Sequence, residues 1–406
     1  MAKILQKIMM TMNILFLIYH GFSEMSGISK KIKYQIKGLR QLGHKVYVCT
    51  YSIDERGHRV RYIDDEPLQD FGTGRLAALR KRCCYGAVVR FVKEKGIDFV
   101  YARSFHNANP FTIRMFKALK EAGIKSVIEI PTYPYDQEYV GFSQSERLAL
   151  AIDKIFRNRL AQQTNAIVTF TQDKEIFGQR TICISNGIDP DMIPLKSEKK
   201  QQKTGMIPMK NEKDAKDGSL NFIGVAEVHY WHGFDRFIAG MGEYYKNGGT
   251  REMTFHIVGG IADCEMHDSE HAPGFAELAE KYGITDRIVY HGQKFGNELD
   301  ELFNNADFAV ASLGRHRSGI THIKTLKNRE YAARGLGFIY SETDDDFDSK
   351  PYVVKAPADE SPVDINKVID FIDHTTITPK EIRDSIDNLT WKKQMETVIK
   401  QTFTTS

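Results

Sequence analysis

No run in this 406-residue chain approaches the length of a bilayer-spanning helix, which needs about 20 consecutive apolar residues. The strongest run, Asn13-Ile14-Leu15-Phe16-Leu17-Ile18-Tyr19, follows the lysine-bearing stretch Met1–Met12 and so has the outline of a signal peptide. It is short and no small-residue cleavage site follows, so it reads as a buried first strand, with Met1–Met12 as an extension outside the fold. Cysteine is scarce: five residues, an odd and scattered set that includes the adjacent Cys83 and Cys84. Without Cys-x-x-Cys pairs or metal-ligand spacing, a reduced cytosolic setting fits best. A Gly-x-Gly-x-x-Gly loop is also missing. Gly21 and Gly27 are too far apart, and the second strand ends in Thr50-Tyr51-Ser52 without the acid that would hold a ribose. Those two absences exclude a dinucleotide dehydrogenase. No Asp-x-Asp closes a strand, so no metal site is expected, and Asp344-Asp345-Asp346 reads as a solvated loop.

What is present is a soluble globular composition, 41% hydrophobic and 27% charged, in a chain long enough for two cores. The net charge of +3 hides an asymmetry. Residues 1–195 hold 29 Lys and Arg against 19 Asp and Glu, about +10, which leaves 27 against 34 for the rest, about −7. A basic half points to an anionic contact, such as a membrane surface or a phosphate-bearing acceptor, with a plain solvated surface as the alternative.

Apolar runs alternate with amphipathic stretches, the pattern of doubly wound parallel sheets. Strands are predicted to begin at Asn13, Lys45, Phe99, Ser126, Ala166 and Thr181, with a helix carrying Ile28, Ile32, Ile36 and Leu39 after the first. A Lys-, Gln- and Asp-rich stretch without periodicity over 196–218 reads as a linker or surface loop. A second strand series then starts at Asn221, Thr254, Ile288, Phe308, Phe338 and Tyr352. The expected division is an N-terminal Rossmann-like domain over 12–195, a second over 219–375, and C-terminal helices over 376–406 that cross back to the first. The expected fold class is therefore α/β with two Rossmann-like domains.

The chemistry-bearing residues gather at strand ends, where ligands bind in such sheets. After the first strand, Ser26-Gly27-Ile28-Ser29 opens a helix and offers free N–H groups to an anion, or is simply a capped turn. Arg103 and His106 follow another strand, and Glu129 ends a third; these are the candidates for acceptor or sugar hydroxyls. In the second half come Trp231-His232-Gly233, then Val258-Gly259-Gly260, then Leu326-Lys327-Asn328-Arg329-Glu330-Tyr331.

At this point the chain resembles the family 4 retaining glycosyltransferases of the GT-B fold, over nearly its whole length. Trp231-His232-Gly233 is similar to that family's Trp-Lys-Gly element. Leu326–Tyr331 resembles its Glu-Ala-Met-Ala-Gly region, in the form found in bacterial surface-polysaccharide transferases, and Glu129–Asp136 is similar to a segment of that branch. The resemblance implies two domains facing a central cleft and a donor ribose bound by Glu330. It also implies glycines 259 and 260 at the nucleotide, and Lys327 and His232 facing the diphosphate. Two departures stand out: Glu227 and His232 occupy the family's Arg and Lys positions, and His322 stands where a second glutamate is usual. Nearby Arg315, His316, Arg317 and Lys324 are the candidates to compensate.

The implied activity is retaining transfer of a sugar from a nucleotide-sugar donor to a glycan or lipid-diphosphate-linked acceptor in surface-polysaccharide synthesis. It implies no metal or other cofactor, no nucleic-acid partner, and a cytoplasmic location with peripheral contact at the inner membrane face. Two other readings remain: a non-catalytic sugar-nucleotide-binding partner protein and a sugar-nucleotide epimerase.

Overall fold

The computed structural model describes residues 11–23, 27–104, 107–136, 144–196, 218–260, 266 and 274–404. The chain divides into two compact units, Met1–Gly187 with Leu389–Ser406, and Ile188–Asn388.

The first unit is built on β1 (Asn13–Leu17), α1 (Gly27–Gln41), β2 (Lys45–Ile53), β3 (Arg59–Ile63), β4 (Glu66–Asp70), α2 (Gly74–Cys83) and α3 (Gly86–Glu94). It continues with β5 (Phe99–Arg103), α4 (Pro110–Glu121), β6 (Lys125–Ile130), α5 (Gln144–Ala161), β7 (Ala166–Thr169), β8 (Glu175–Ile176) and β9 (Gln179–Cys183). The sheet order is β4-β3-β2-β1-β5-β6-β7-β9-β8. Its centre is parallel, and each central strand is apolar on both faces because helices cover both. The edge pair β3 and β4 is antiparallel and was not foreseen in the sequence. Its two-residue turn puts both Asp64 and Asp65 at positive φ, as a type I′ hairpin requires. The Asp64 carboxylate accepts the N–H of Val48 at 2.8 Å, which ties the turn to β2.

The second unit runs β10 (Leu220–Val225), α6 (Phe234–Lys246), β11 (Met253–Val258), α7 (Phe275–Lys281), β12 (Ile288–Tyr290), α8 (Gly296–Asn305) and β13 (Phe308–Val310). It ends with α9 (Leu326–Ala333), β14 (Phe338–Tyr340), β15 (Val353–Lys355), α10 (Ile365–His374) and α11 (Pro379–Asp384). All its described strands are parallel, in the order β12-β11-β10-β13-β14-β15. That is the Rossmann order 3-2-1-4-5-6, whose crevice opens where the first and fourth strands part. Phe222, Phe234, Phe237, Met241, Phe255 and Ile257 form the centre of its core.

The C-terminal segment divides between the units, so the breaks fall at 187/188 and 388/389 instead of 195 and 375. Arg383 of α11 donates to the carbonyls of Ala333 and Ile193, which keeps that helix on the second unit. The last helix, α12 (Trp391–Thr404), packs on α1 of the first. Gly38 permits this approach: a Cβ there would lie 2.8 Å from the Trp391 carbonyl carbon. The predicted linker over 196–218 lies outside the described residues except for its two ends.

Candidate donor site in the second unit

The crevice between β10 and β13 is closed at its base by one side chain. The Tyr331 hydroxyl accepts the N–H of Val225 at 3.0 Å and meets the Val310 carbonyl at 3.3 Å. Tyr331 thus anchors α9 to the last residues of both strands, and α9 carries Lys327 and Glu330 to their carboxyl ends.

Two loops rise from those ends. One runs from Ala226 to Gly233 and includes the 3-10 turn Tyr230–His232; the other contains Ser312, Leu313, Gly314 and the 3-10 turn Arg315–Ser318. They touch at Gly233, which has φ +66, and where a Cβ would come within 2.6 Å of the Leu313 carbonyl carbon. The Leu313 N–H donates to the His232 carbonyl at 2.8 Å. Buried Arg236 braces the second loop through the carbonyls of Leu313, Pro357 and Ser361.

Three basic side chains converge here. The His229 N–H donates to His232 Nδ1 at 3.0 Å, so the neutral ring carries its proton on Nε2 and offers it as a donor. Burial, then Lys327, Arg315 and His229, hold the His232 pKa well below the usual imidazole value. The Lys327 stem is part-exposed, but its Nζ is closed off and has no hydrogen-bond partner among the described residues. Burial and then Arg315 push its pKa well below that of an ordinary lysine. Arg315 stands with its guanidinium 5.6 Å from the Trp231 ring centre, and its Nε is likewise buried without a partner among the described residues. The hydroxyls of Ser312 and Thr325, on the same loops, are two further buried polar groups in that condition. Buried donors with no acceptor are costly, and a group of them around like charges is the arrangement that an anion relieves.

The other candidates are committed elsewhere. Arg317 makes a two-pronged pair with Asp235 and also binds Glu360. Burial opposes its charge, yet those carboxylates raise its pKa above the usual guanidinium value. His316 lies between Glu342 at 3.2 Å and Glu360 at 2.9 Å. Lys324 is 3.5 Å from Asp346. The expectation that Arg317 and His316 serve a donor phosphate is therefore corrected: acids of the chain itself already engage both side chains. Arg315 is the residue of this group left for the crevice. The aspartate run is corrected too. Asp344 is wholly buried, bound to Arg329 at 2.9 Å and to Asn328 at 2.9 Å, and is not a solvated loop residue.

Glu330 is part-exposed, and among the described residues Arg334 engages only its Oε1, at 3.0 Å. Gly259 has a different role from the one expected. Its φ is +132, and a Cβ there would fall 1.6 Å from the Ala226 carbonyl oxygen. Its missing side chain makes room for the chain's own loop. Gly260 is less tight, with Gln293 Nε2 at 3.3 Å from a built Cβ, and its carbonyl accepts from Val228 at 2.7 Å. Glu227 and His322 are both exposed.

In the first unit, Glu129 was expected to meet an acceptor. It is instead fully buried, paired with Lys31 at 3.3 Å and Arg103 at 3.2 Å, and it accepts from Gln35 and Tyr101. Burial works against its charge, but the two cations bring its pKa down to about 2. Glu129 and Arg103 thus form a polar core pin, and neither is free for an acceptor. Gly27 opens α1 with open space around it. Ser26 and His106 lie outside the described residues.

No known family profile matches the chain, and neither does any curated protein sequence. Solved structures do match. The catalytic domain of starch synthase IV from Arabidopsis thaliana, bound to ADP and acarbose, is 11% identical with a TM-score of 0.59, covering 97% of this chain and 100% of that one. Sucrose-phosphate synthase from Thermosynechococcus elongatus is 13% identical at a TM-score of 0.52, with 97% and 94% covered. WaaG, a glycosyltransferase involved in lipopolysaccharide biosynthesis, is 14% identical at 0.51, with 97% and 100% covered. The chain has the GT-B fold. In this GT-B chain the crevice between β10 and β13 belongs to the second Rossmann-like unit, with its basic side chains on the two loops and on α9.

Proposed function

We propose that this chain is a retaining glycosyltransferase of the family 4 kind, taking a sugar from a nucleotide-sugar donor to a glycan or lipid-diphosphate-linked acceptor. The observation that carries the reading is the set of basic groups at the β10–β13 crevice, His232, Arg315 and Lys327, with no carboxylate paired to them among the described residues. A diphosphate matches that charge. Lys327 and Arg315 stabilise the negative charge that grows on the leaving group, and His232 Nε2 donates to a phosphate oxygen. Glu330 binds the two ribose hydroxyls through its free oxygen, with Arg334 steadying the other. The starch synthase structure of the same fold is bound to ADP and acarbose, which agrees with a nucleotide-sugar donor for this reading. We further propose that no divalent metal is needed, because side chains supply the positive charge, and that the first unit carries the acceptor in surface-polysaccharide assembly at the cytoplasmic membrane face.

The test is calorimetric binding and slow hydrolysis of UDP-, GDP-, ADP- and CMP-sugars, with and without chelator, on wild type, Glu330→Ala and Lys327→Ala. One nucleotide series that binds wild type and not the variants supports the reading, and the anomer of the product sugar tests retention. No binding at millimolar donor overturns it. Exposed Glu227 and His322 in place of the family's charged pattern favour one second reading, a non-catalytic sugar-nucleotide-binding partner; binding with no turnover on any acceptor would select it.

A further inference from the structure

The unforeseen edge strand β3 builds a second basic site, inside the first unit. Tyr51 of β2 stands opposite Arg61 of β3, and residues two apart in a strand share a face, so Arg59 projects beside them. Arg59 donates to the Tyr51 hydroxyl at 2.9 Å. Arg61 is buried and donates to the carbonyls of Cys84 at 2.7 Å and Lys81 at 3.0 Å, which holds the end of α2 against the hairpin. These acceptors are neutral, so neither guanidinium loses its charge to them.

A small cavity lies at this junction, lined by Arg61, Lys81, Arg82, Tyr19, Tyr51 and Tyr85. Lys81 Nζ sits 3.7 Å from the Tyr51 ring centre. Among the described residues no carboxylate pairs with Arg59, Arg61, Lys81 or Arg82. The C-terminus of α2 supplies about half a negative charge, too little for four cations. Burial, then Arg82, Arg59 and Arg61, bring the Lys81 pKa down to about 8, a strain that a bound anion relieves. A phosphate monoester brings close to two negative charges and three acceptor oxygens, whereas a carboxylate answers one cation. The walls describe what the phosphate is attached to. Tyr85 accepts from the Asn107 amide at 2.7 Å, and burial, opposed by Arg61, pushes its pKa up to about 12, so it keeps a proton to donate. Tyrosine rings with polar rims suit the faces and hydroxyls of a sugar. An acyl chain would leave those hydroxyls without partners.

We propose that Arg61, Lys81 and Arg82 bind a phosphate monoester carried on a sugar that lies against Tyr19, Tyr51 and Tyr85. This rests on the reading that the first unit carries the acceptor, and it narrows that acceptor to a phosphorylated sugar. The site is tested without donor or turnover, so this proposal and the donor reading can each fail alone.

The experiment follows acylation of Lys81 by acetic anhydride in the full chain, read by mass spectrometry, as glucose 6-phosphate, inorganic phosphate, glucuronate or decyl phosphate is added. Wild type, Arg82→Met and Lys327→Met are compared, and calorimetry on Lys81→Met repeats the binding test, each variant first shown to melt cooperatively. The expected result is that glucose 6-phosphate protects Lys81 at lower concentration than phosphate does. Protection should be at least about tenfold weaker in Arg82→Met, and unchanged in Lys327→Met, whose substitution lies in the other unit. Calorimetry should show the same loss in Lys81→Met. No protection at millimolar glucose 6-phosphate, equal protection in Arg82→Met, or glucuronate as effective as the phosphates would overturn the proposal. Decyl phosphate binding more tightly than glucose 6-phosphate would overturn the sugar assignment in favour of a lipid phosphate.

Discussion

Arg317 and Asp235 form a two-pronged ion pair, Nη1 to Oδ1 at 2.9 Å and Nη2 to Oδ2 at 2.7 Å, with both side chains nearly buried. The pair fastens the turn Arg315–Ser318 to the start of α6, and it decides which of three consecutive basic residues remains available to the crevice. Asp235→Asn leaves a buried guanidinium half-compensated and should lower stability by about 3 kcal/mol. Denaturant unfolding measures that loss, and donor affinity should fall with it because Arg315 loses its support.

Lys327→Met should separate stability from function. The buried Nζ with no partner among the described residues costs about 1–3 kcal/mol, so the thioether chain should raise the unfolding midpoint while weakening donor binding by tenfold or more. Equal loss of both would assign Lys327 to the core alone.

Donor binding should take up protons. In the free protein, burial and then the Lys327 and Arg315 charges hold His232 below its usual pKa, burial and then Arg315 do the same for Lys327, and a bound diphosphate raises both. Calorimetric enthalpies should therefore vary with the ionisation heat of the buffer, and affinity should fall as pH rises past the bound-state values.

Glu129 governs the acid limb of stability. Its folded pKa of about 2 lies below the unfolded value of about 4.3. Its stabilisation is thus complete above the unfolded value and is lost as pH falls through the folded one, on the order of 3 kcal/mol in all. Glu129→Gln should flatten this limb and lower stability near neutrality, since Lys31 and Arg103 are then buried without their carboxylate. Urea unfolding between about pH 2 and pH 7 checks both.

Gly259→Ala should act through the fold. With φ +132 and a carbonyl oxygen 1.6 Å from the new Cβ, the loop after β10 must move, at a cost of about 3 kcal/mol or more. A folded variant of wild-type melting temperature that had lost only nucleotide binding would restore Gly259 to a ligand-contact role.

The sequence by itself determined the two parallel sheets and the order of their strands' appearance. Runs such as Ile14–Leu17 and Phe255–Val258 are apolar at successive positions because helices cover both sheet faces, and that pattern is local. The β3–β4 hairpin was not legible, since its short, charged, proline-containing strands gain their register from Asp64 and β2. Lys327, His232 and Glu330 could be picked out beside their glycines and aromatics. Which charges remain free was decided only by tertiary structure. Arg317 meets Asp235 from 82 positions away, and Glu129 meets Gln35 from 94. Chain sequence fixes local backbone preference within a few residues, whereas a buried charge is satisfied by whatever the fold brings within a few ångströms, and only then is it known which cations are left for a ligand.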